Sequence, residues 1–409
     1  MKKIIASKQN FYIQVRRCPR RSLEASKLQK YLVANNLQPA NNPKKADLMF
    51  VFTCGGFKKA EEESINTVKK ALENKNSKVI VTGCLPKINP KLLNVFDVPI
   101  VSPEDFEKID SLINAKMPYT QCPDVSTISG IHDLYHGNFY KRIQRKITRL
   151  KKRVKFVPQF LRSLLVTNNN ENVKPIQYFS QETFILEIAK GCMGECSYCA
   201  IKLAMPKFKS FPEETIINKF EEGLKKNYRD FAVIAGDIGC YGVDINTNLA
   251  KLLSKLFAVK GDYRVLLIDV NARWFVKDYE ELLPVLRDNS SKISTIIMPI
   301  QSGSDRILKL MKRKYEISEV KKCLLDLKKN APDLKVETHI MVGFPGETDA
   351  DFQDSLDLVR EGTFSKIAVY QYEDRPNTPA FYMNGKVDQG IIKRRIKKLK
   401  ELVNLTIEN

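Results

Sequence analysis

Three cysteines in one short loop, Cys192, Cys196 and Cys199 of GCMGECSYCAI, are the residues of this chain whose spacing speaks most directly of chemistry. Thiolates are soft ligands that suit iron–sulfur clusters, and three of them in one loop can hold three irons of a [4Fe–4S] cube. The fourth iron is then left for a ligand that is not protein. A structural zinc site wants four ligands, and no second cysteine or histidine pair stands nearby. Reading Cys196 and Cys199 as a redox pair leaves Cys192 without a role.

Cys18, Cys54 and Cys84 form a second, wider set. Each follows an apolar run that reads as a buried strand: FYIQV, LMFVF and VIVTG. Ligands gather beyond the carboxyl ends of strands in open parallel sheets, so three thiols there are again one ligand short of a cube. Buried free cysteines that merely fill space are the plain alternative. Cys323, in the helix-like KKCLLDLKK, is expected in the core, and Cys240, in GDIGCYG, is expected to be a small apolar filler. Cys122 has no partner in sequence. His132, His136 and His339 show neither metal-ligand nor triad spacing.

The elements that must position these thiols follow from the alternation of apolar runs with amphipathic stretches. From Phe11 to about Cys122 the rhythm is that of a parallel α/β domain, flavodoxin-like, with SLEASKLQKYLVANN and AEEESINTVKKALENK as helices and VPIV as a candidate fourth strand. From Asp124 to Ser180 the pattern lapses into an intensely basic stretch, KRIQRKITRLKKRVKFVPQFLRS, and a polar linker. From Thr183 to Tyr372 six strand–helix units (FILEIA, FAVIAG, RVLLIDV, TIIMPIQ, VETHIMVGF and KIAVYQY start them) predict a closed or partly closed β/α barrel. The chain ends in a basic amphipathic helix, GIIKRRIKKLKELVNLTIEN.

Composition sets outer limits. Sixty-eight Lys and Arg against 47 Asp and Glu give a net charge of +21, which points to RNA or an acidic peptide as partner, or simply to solvated lysines. The apolar start is too short for a signal peptide, and no stretch reaches the roughly 20 apolar residues of a membrane span. A cytoplasmic protein without a membrane partner is expected, in which nine cysteines serve metal or catalysis rather than disulfides.

The three-then-two cysteine spacing, with Tyr198 before the third cysteine, resembles the radical S-adenosylmethionine (SAM) superfamily. ADLMFVFTCGGFKKAEEES, VIVTGCLPK, KGCMGECSYCAI, IAGDIGCYGVD, MPIQSGSDRILKLMKRKY, HIMVGFPGET and YEDRPNTPAF, in that order, are similar to the radical SAM methylthiotransferases, which modify tRNA adenosines or a ribosomal-protein aspartate. The resemblance implies a [4Fe–4S] cluster on Cys192, Cys196 and Cys199 whose open iron chelates SAM, and an auxiliary [4Fe–4S] cluster on Cys18, Cys54 and Cys84. One SAM would methylate sulfur; a second would be cleaved to a 5′-deoxyadenosyl radical that takes hydrogen from substrate carbon. SAM contacts are expected from Tyr198, Asp237, Tyr241, Asn271, Arg273, Gln301, Ser302, Gly343 and Gly346, and an electron donor such as flavodoxin or ferredoxin is implied. The domains expected are 1–122 for the auxiliary cluster, 123–180 as basic insertion, 181–385 as radical SAM barrel and 386–409 as terminal helix.

The chain also departs from the family. Cys18-Pro-Arg-Arg-Ser replaces an Asn and acidic residues, Lys209 and Ser210 stand where an Arg-rich, Gly-containing stretch is usual, and Gly236 stands where a Gln is usual. The small β-rich TRAM domain that usually ends the family does not follow the last helix. Substrate recognition is therefore expected either from RNA contacts of the basic insertion and terminal helix or from a peptide or small-molecule substrate that needs no such domain. Two other readings stay open: a radical SAM enzyme whose auxiliary cluster serves electron transfer or sulfur insertion, and a basic RNA-binding protein with degenerate chemistry.

Overall fold

The computed structural model describes residues 9–15, 18–128, 132–133 and 183–407. The basic stretch 141–163 and His136 lie outside them. The chain forms two compact units: Met1–Thr53, Thr67–Thr82 and Val98–Gln181 in one, and Cys54–Asn66, Gly83–Asp97 and Glu182–Asn409 in the other. No described helix is long and apolar enough to cross a membrane.

The first unit is built on a sheet in the order β2 (Gln38–Pro39), β1 (Asn10–Val15), β3 (Leu48–Thr53), β4 (Lys78–Gly83), with β5 (His132–Asp133) also pairing β1. β1 runs parallel to β2, β3 and β5. All six residues of β3 are buried, as a strand covered on both faces requires, whereas β1 alternates. The expected strand VPIV is reduced to one parallel bridge between Ile100 and Val81. Helix α1 (Pro19–Ala34) begins with Pro19, whose fixed φ suits a first turn, and lays Leu28, Tyr31 and Leu32 into a core with Phe11, Ile13 and Phe50. Helices α2 (Lys58–Leu72), α3 (Leu85–Ile88) and α4 (Lys108–Ile113) follow in the chain.

The second unit contains six parallel strands in the order β13 (Lys366–Gln371), β12 (Val336–Val342), β11 (Ile293–Ile297), β10 (Arg264–Leu267), β9 (Asp230–Ile234), β6 (Thr183–Glu187). It is the expected partial (β/α)6 barrel. Two short strands, β7 (Ala189–Lys190) and β8 (Lys209–Ser210), pair antiparallel beside it. The helices α5 (Glu213–Lys225), α6 (Leu249–Ala258), α7 (Ala272–Lys277), α8 (Tyr279–Asp288), α9 (Asp305–Leu310), α10 (Ile317–Asn330) and α11 (Asp349–Arg360) fall between strands, and α12 (Gln389–Ile407) ends the chain. Their apolar faces and the strands share one core, in which Phe184, Phe220, Phe231 and Tyr263 stack edge-on and tilted.

Helix α11 opens with a capping box, Thr348 and Asp351 exchanging hydrogen bonds. Asp351 also accepts from Ser304 at 2.7 Å and pairs with Arg306, tying β11's loop to the helix. Burial alone would push its carboxyl up; Arg306, Thr348 and Ser304 outweigh burial and hold it well below the usual carboxylate range. A carboxylate depressed in the fold stabilises above its unfolded pKa and loses that contribution as pH falls through its folded value. Asp351→Asn should therefore cost about 2 kcal/mol at pH 7, with the deficit shrinking below about pH 4. Urea unfolding followed by the single tryptophan, Trp274, which lies in this unit, measures it. An equal deficit at neutral and strongly acid pH would show that the charge contributes nothing.

Candidate iron–sulfur and SAM site

The cysteine loop is fixed at both ends. The β7–β8 pair pinches residues 191–208 into a closed excursion beyond the carboxyl end of β6. Gly191 turns the chain with φ +71°, and a Cβ there would stand 2.5 Å from the Pro206 carbonyl. Gly236, past the end of β9, presses on the same place: a Cβ would lie 2.2 Å from the Gly191 oxygen and 2.8 Å from Cys192 Cβ. The Gln usual in the resembling family has no room here.

Within the loop the sulfurs of Cys192 and Cys196 lie on either side of Gly194. The Gly194 N–H donates to Cys192 Sγ at 3.2 Å, and a Cβ on Gly194 would sit 3.2 Å from Cys192 Sγ and 3.7 Å from Cys196 Sγ. The Cys199 N–H closes a turn onto the Cys196 carbonyl. Buried Ser197 anchors that turn: its N–H donates to the Met311 carbonyl and its hydroxyl to the Leu310 carbonyl at 2.8 Å. Arg313, on the turn after α9, brings Nη1 to 3.4 Å from Cys196 Sγ.

Burial, helped by Asp237 and opposed by the Gly194 N–H, pushes the Cys192 thiol up to about 12, so iron must displace its proton on binding. Among the described residues no three Cys, His, Asp or Glu side chains are gathered closely enough to hold one metal ion. The fit to a cluster rests instead on an all-thiol donor set, on two sulfurs facing one small cradle, and on a buried acceptor left unpaired beside them. That acceptor is Asp237 Oδ2. Its partner Oδ1 takes the Gly239 N–H at 2.9 Å and the Asn271 N–H at 3.2 Å; burial raises the carboxyl while Arg313 and these N–H groups pull it down.

The other residues expected around SAM divide into two groups. Asn271 caps α7 through Arg273 N–H, and Arg273 stacks on Trp274 at 4.5 Å. Met193, Glu195, Lys312, Arg313 and Lys314 line one small cavity with Asn271, Arg273 and Trp274. Gln301 has φ +81°, costly backbone for a side-chain residue, held by ladder bonds to His339 and Met341. Gly343 and Gly346 lie at φ +84° and +85°. The Gly343 N–H donates to buried Glu347, which is paired with Arg395 of α12 at 2.8 Å. By contrast, Ser302 bonds to Ser304 and Gly303's partner Ser355, Tyr241 is a core residue donating its hydroxyl to the Phe211 carbonyl, and Tyr198 packs with Met311, Phe344 and Tyr372. Arg313, Glu347 and Arg395 carried no expectation; MKRKY and GFPGET held two of them, but their partners lie far along the chain.

Cys18 occupies the N-cap position of α1. Cys54 directly follows β3, its N–H bonded to Ser64 at 2.8 Å. Cys84 opens α3 and is packed with Ile88 against Ala200 and Ala204, on the turn that follows Cys199. A Cβ on Gly56 would be 2.8 Å from Ile201 Cδ1 of that turn and 3.8 Å from Cys54 Sγ. Both segments are also tied to residues 373–377: Lys58 N–H to Glu373, Asn377 to the Ile88 carbonyl, and Arg375 to Glu61. Cys240 is buried, donating to the Asp237 carbonyl, and Cys323 and Cys122 lie in the cores.

Comparison with known proteins identifies the family. The radical SAM superfamily matches residues 186–359 and the uncharacterized protein family UPF0004 residues 10–99. The chain is 32% identical to a probable threonylcarbamoyladenosine tRNA methylthiotransferase of Pyrococcus abyssi, over 83% of this chain and 71% of the relative. It is 31% identical to the threonylcarbamoyladenosine tRNA methylthiotransferase MtaB of Thermotoga maritima, over 86% and 72%. It is 29% identical to the ribosomal protein uS12 methylthiotransferase RimO of Clostridium botulinum, over 90% and 76%. Among solved structures, the radical SAM methyltransferase TsrM of Kitasatospora setae, with cobalamin and a [4Fe-4S] cluster bound, aligns with a TM-score of 0.57 at 12% identity, covering 92% of this chain and 77% of that one. That likeness is one of fold.

Gly236→Ala should push Cys192 off its position. After anaerobic reconstitution with the auxiliary cysteines replaced, iron should fall well below the about four per chain of one cube, with circular dichroism unchanged. Gly239→Ala, whose Cβ would meet Trp274 only at 3.0 Å, should keep most of it. Full iron content in Gly236→Ala would show that the loop tolerates displacement.

Proposed function

Because the chain belongs to the radical SAM methylthiotransferases, we propose that it converts a C–H bond of a tRNA adenosine to C–SCH3 with two [4Fe–4S] clusters and two equivalents of SAM. The observation that supports this reading is the packing of the Cys54 and Cys84 segments on the turn directly after Cys199. Cys192, Cys196 and Cys199 would hold one cluster, and Cys18, Cys54 and Cys84 the other. When bound, clusters and SAM supply a low-potential electron, a methyl group, a hydrogen acceptor and a sulfur-carrying iron.

The chain's own residues hold and shield. Asp237 would offer its unpaired Oδ2 to an ammonium or hydroxyl donor of SAM, and Asn271 and Arg273 border a small cavity beside the cysteine loop. At Gly346, where a Cβ would meet only Leu310 Cδ1 at 3.7 Å, the backbone would let a ligand approach closely, whereas at Gly343 Ile392 already fills that space. Lys202, Lys312 and Lys314 around the cysteine loop, and Lys393, Arg394, Lys397 and Lys398 on the exposed side of α12, favour a phosphate backbone as partner. The electron is drawn from a flavodoxin or ferredoxin class of donor. A ribosomal-protein substrate is the second reading, favoured by the similarity to RimO.

Iron and sulfide analysis with Mössbauer spectroscopy should find about eight irons in the wild type and about four in Cys18→Ala/Cys54→Ala/Cys84→Ala, as two cubes require. Four irons in both would remove the auxiliary site and with it sulfur transfer. In nucleoside mass spectrometry the wild type should yield methylthioadenosine from tRNA, and the triple variant none, while still cleaving SAM. Affinity for tRNA should fall steeply, with a linear dependence on log salt. Methylthiolation of ribosomal protein with unmodified tRNA would transfer the assignment to the second reading.

A further inference from the structure

Four arginines are buried in the described residues: Arg21, Arg313, Arg375 and Arg395. Three have a carboxylate. Arg21 pairs with Glu24, Arg375 with Glu61 and Arg395 with Glu347. Arg313 has none within ion-pair distance among the described residues. Its guanidinium donates to the Pro299 carbonyl at 2.6 Å, to the Tyr315 hydroxyl at 3.3 Å and to Cys196 Sγ at 3.4 Å. Asp237 feels it only from longer range. A buried charge is tolerated when it is paired and hydrogen-bonded, and neutral acceptors satisfy the second condition alone. The missing anion belongs where Nη1 points, at the sulfur of Cys196.

We infer that Arg313 is the fixed counter-charge of the cluster held by Cys192, Cys196 and Cys199, donating a hydrogen bond to the Cys196 thiolate and raising the cluster's reduction potential. The inference rests on those three cysteines being cluster ligands. A cube with three thiolates is anionic and gains one further negative charge when it accepts an electron, so a cation in a water-poor setting favours the reduced state more than the oxidised one. Hydrogen bonds to ligand sulfurs act in the same direction. The turn is built to keep the guanidinium there: Lys312 takes φ +56°, the Arg313 N–H returns to the Leu308 carbonyl at 2.8 Å, and Tyr315 is held by its own hydrogen bond to the Ile300 carbonyl. Arg313 is thus a tuning residue acting through Cys196. One electron enters from a low-potential flavin or iron–sulfur donor, and no bond to Arg313 forms or breaks.

The test is an EPR-monitored reductive titration of the full chain without SAM, comparing wild type with Arg313→Met, Arg313→Gln and Tyr315→Phe. The auxiliary cysteines Cys18, Cys54 and Cys84 are replaced by alanine in every sample, so that only one cluster reports. At a fixed poise the reduced-to-oxidised ratio should fall at least about tenfold in both Arg313 variants, equivalent to 59 mV for a one-electron couple, at unchanged iron content. Tyr315→Phe, which removes a hydrogen-bond partner of the guanidinium but no charge, should show a clearly smaller fall than either Arg313 variant. In parallel, pulsed EPR of the reduced wild-type cluster in [15N]arginine-labelled protein should show a weak 15N coupling that does not depend on any variant folding. Iron-loaded Arg313 variants that titrate like wild type, or an absent 15N coupling, would overturn the inference. So would a change confined to SAM affinity, which would make Arg313 a ligand for the SAM carboxylate. Failure of the wild type itself to bind iron would instead sink the assignment of the three cysteines.

Discussion

Three cysteines in one short loop cannot keep a fixed geometry through the loop alone, because irregular backbone carries few internal hydrogen bonds and too much conformational entropy. The barrel resolves this by fixing the loop from outside. A two-residue antiparallel pair closes its base, a side-chain-free contact between Gly191 and Gly236 sets its depth, and Ser197 bonds the Cys196–Cys199 turn to the end of α9. Each support comes from a different strand–loop unit. The site therefore exists only when β6, β9 and β11 are in register together, so the parallel sheet and the thiol geometry are one folding problem.

Charge placement follows the same division. Among the described residues the exposed charges are mostly lysines and lie where screening makes each of them weak. The buried charges are few and specific. Asp351 anchors the start of α11, Glu347 links the Gly343 turn to α12, and Arg375 fastens Glu61 in the segment that begins at Cys54. These buried pairs join segments distant in sequence around the carboxyl edge of the barrel, which is where a dry, preorganised environment matters to charged ligands.

Much of this was legible from residue order alone. Apolar runs such as FILEIA and VETHIMVGF reported strands because a parallel sheet covered on both faces needs unbroken hydrophobicity, and the cysteine spacing announced a cluster because cluster ligation is local in sequence. What stayed hidden was long-range. Arg313 bonds Cys196 across 117 residues, and nothing in MKRKY distinguishes a buried guanidinium from the exposed lysines beside it. Tyr241 looked like a ligand contact since it follows Asp237 in a loop, yet its ring completes the core and its hydroxyl serves Phe211. VPIV has the composition of a strand but pairs at one residue only, being short and ending at Pro99 and the turn at Pro103.

The clasp between α12 and the Gly343 turn has a further consequence for the order of biosynthesis. Ile392 fills the space that a side chain at Gly343 would need, and Arg395 holds the carboxylate that orients the Gly343 N–H. Both leave the ribosome about two hundred residues after Cys199, although they belong to the same compact unit as the loop, and a domain generally folds as a unit. All six barrel strands and the cysteine loop are thus made before the Gly343 turn gains its keeper, and the turn can take its final geometry only once α12 has been added.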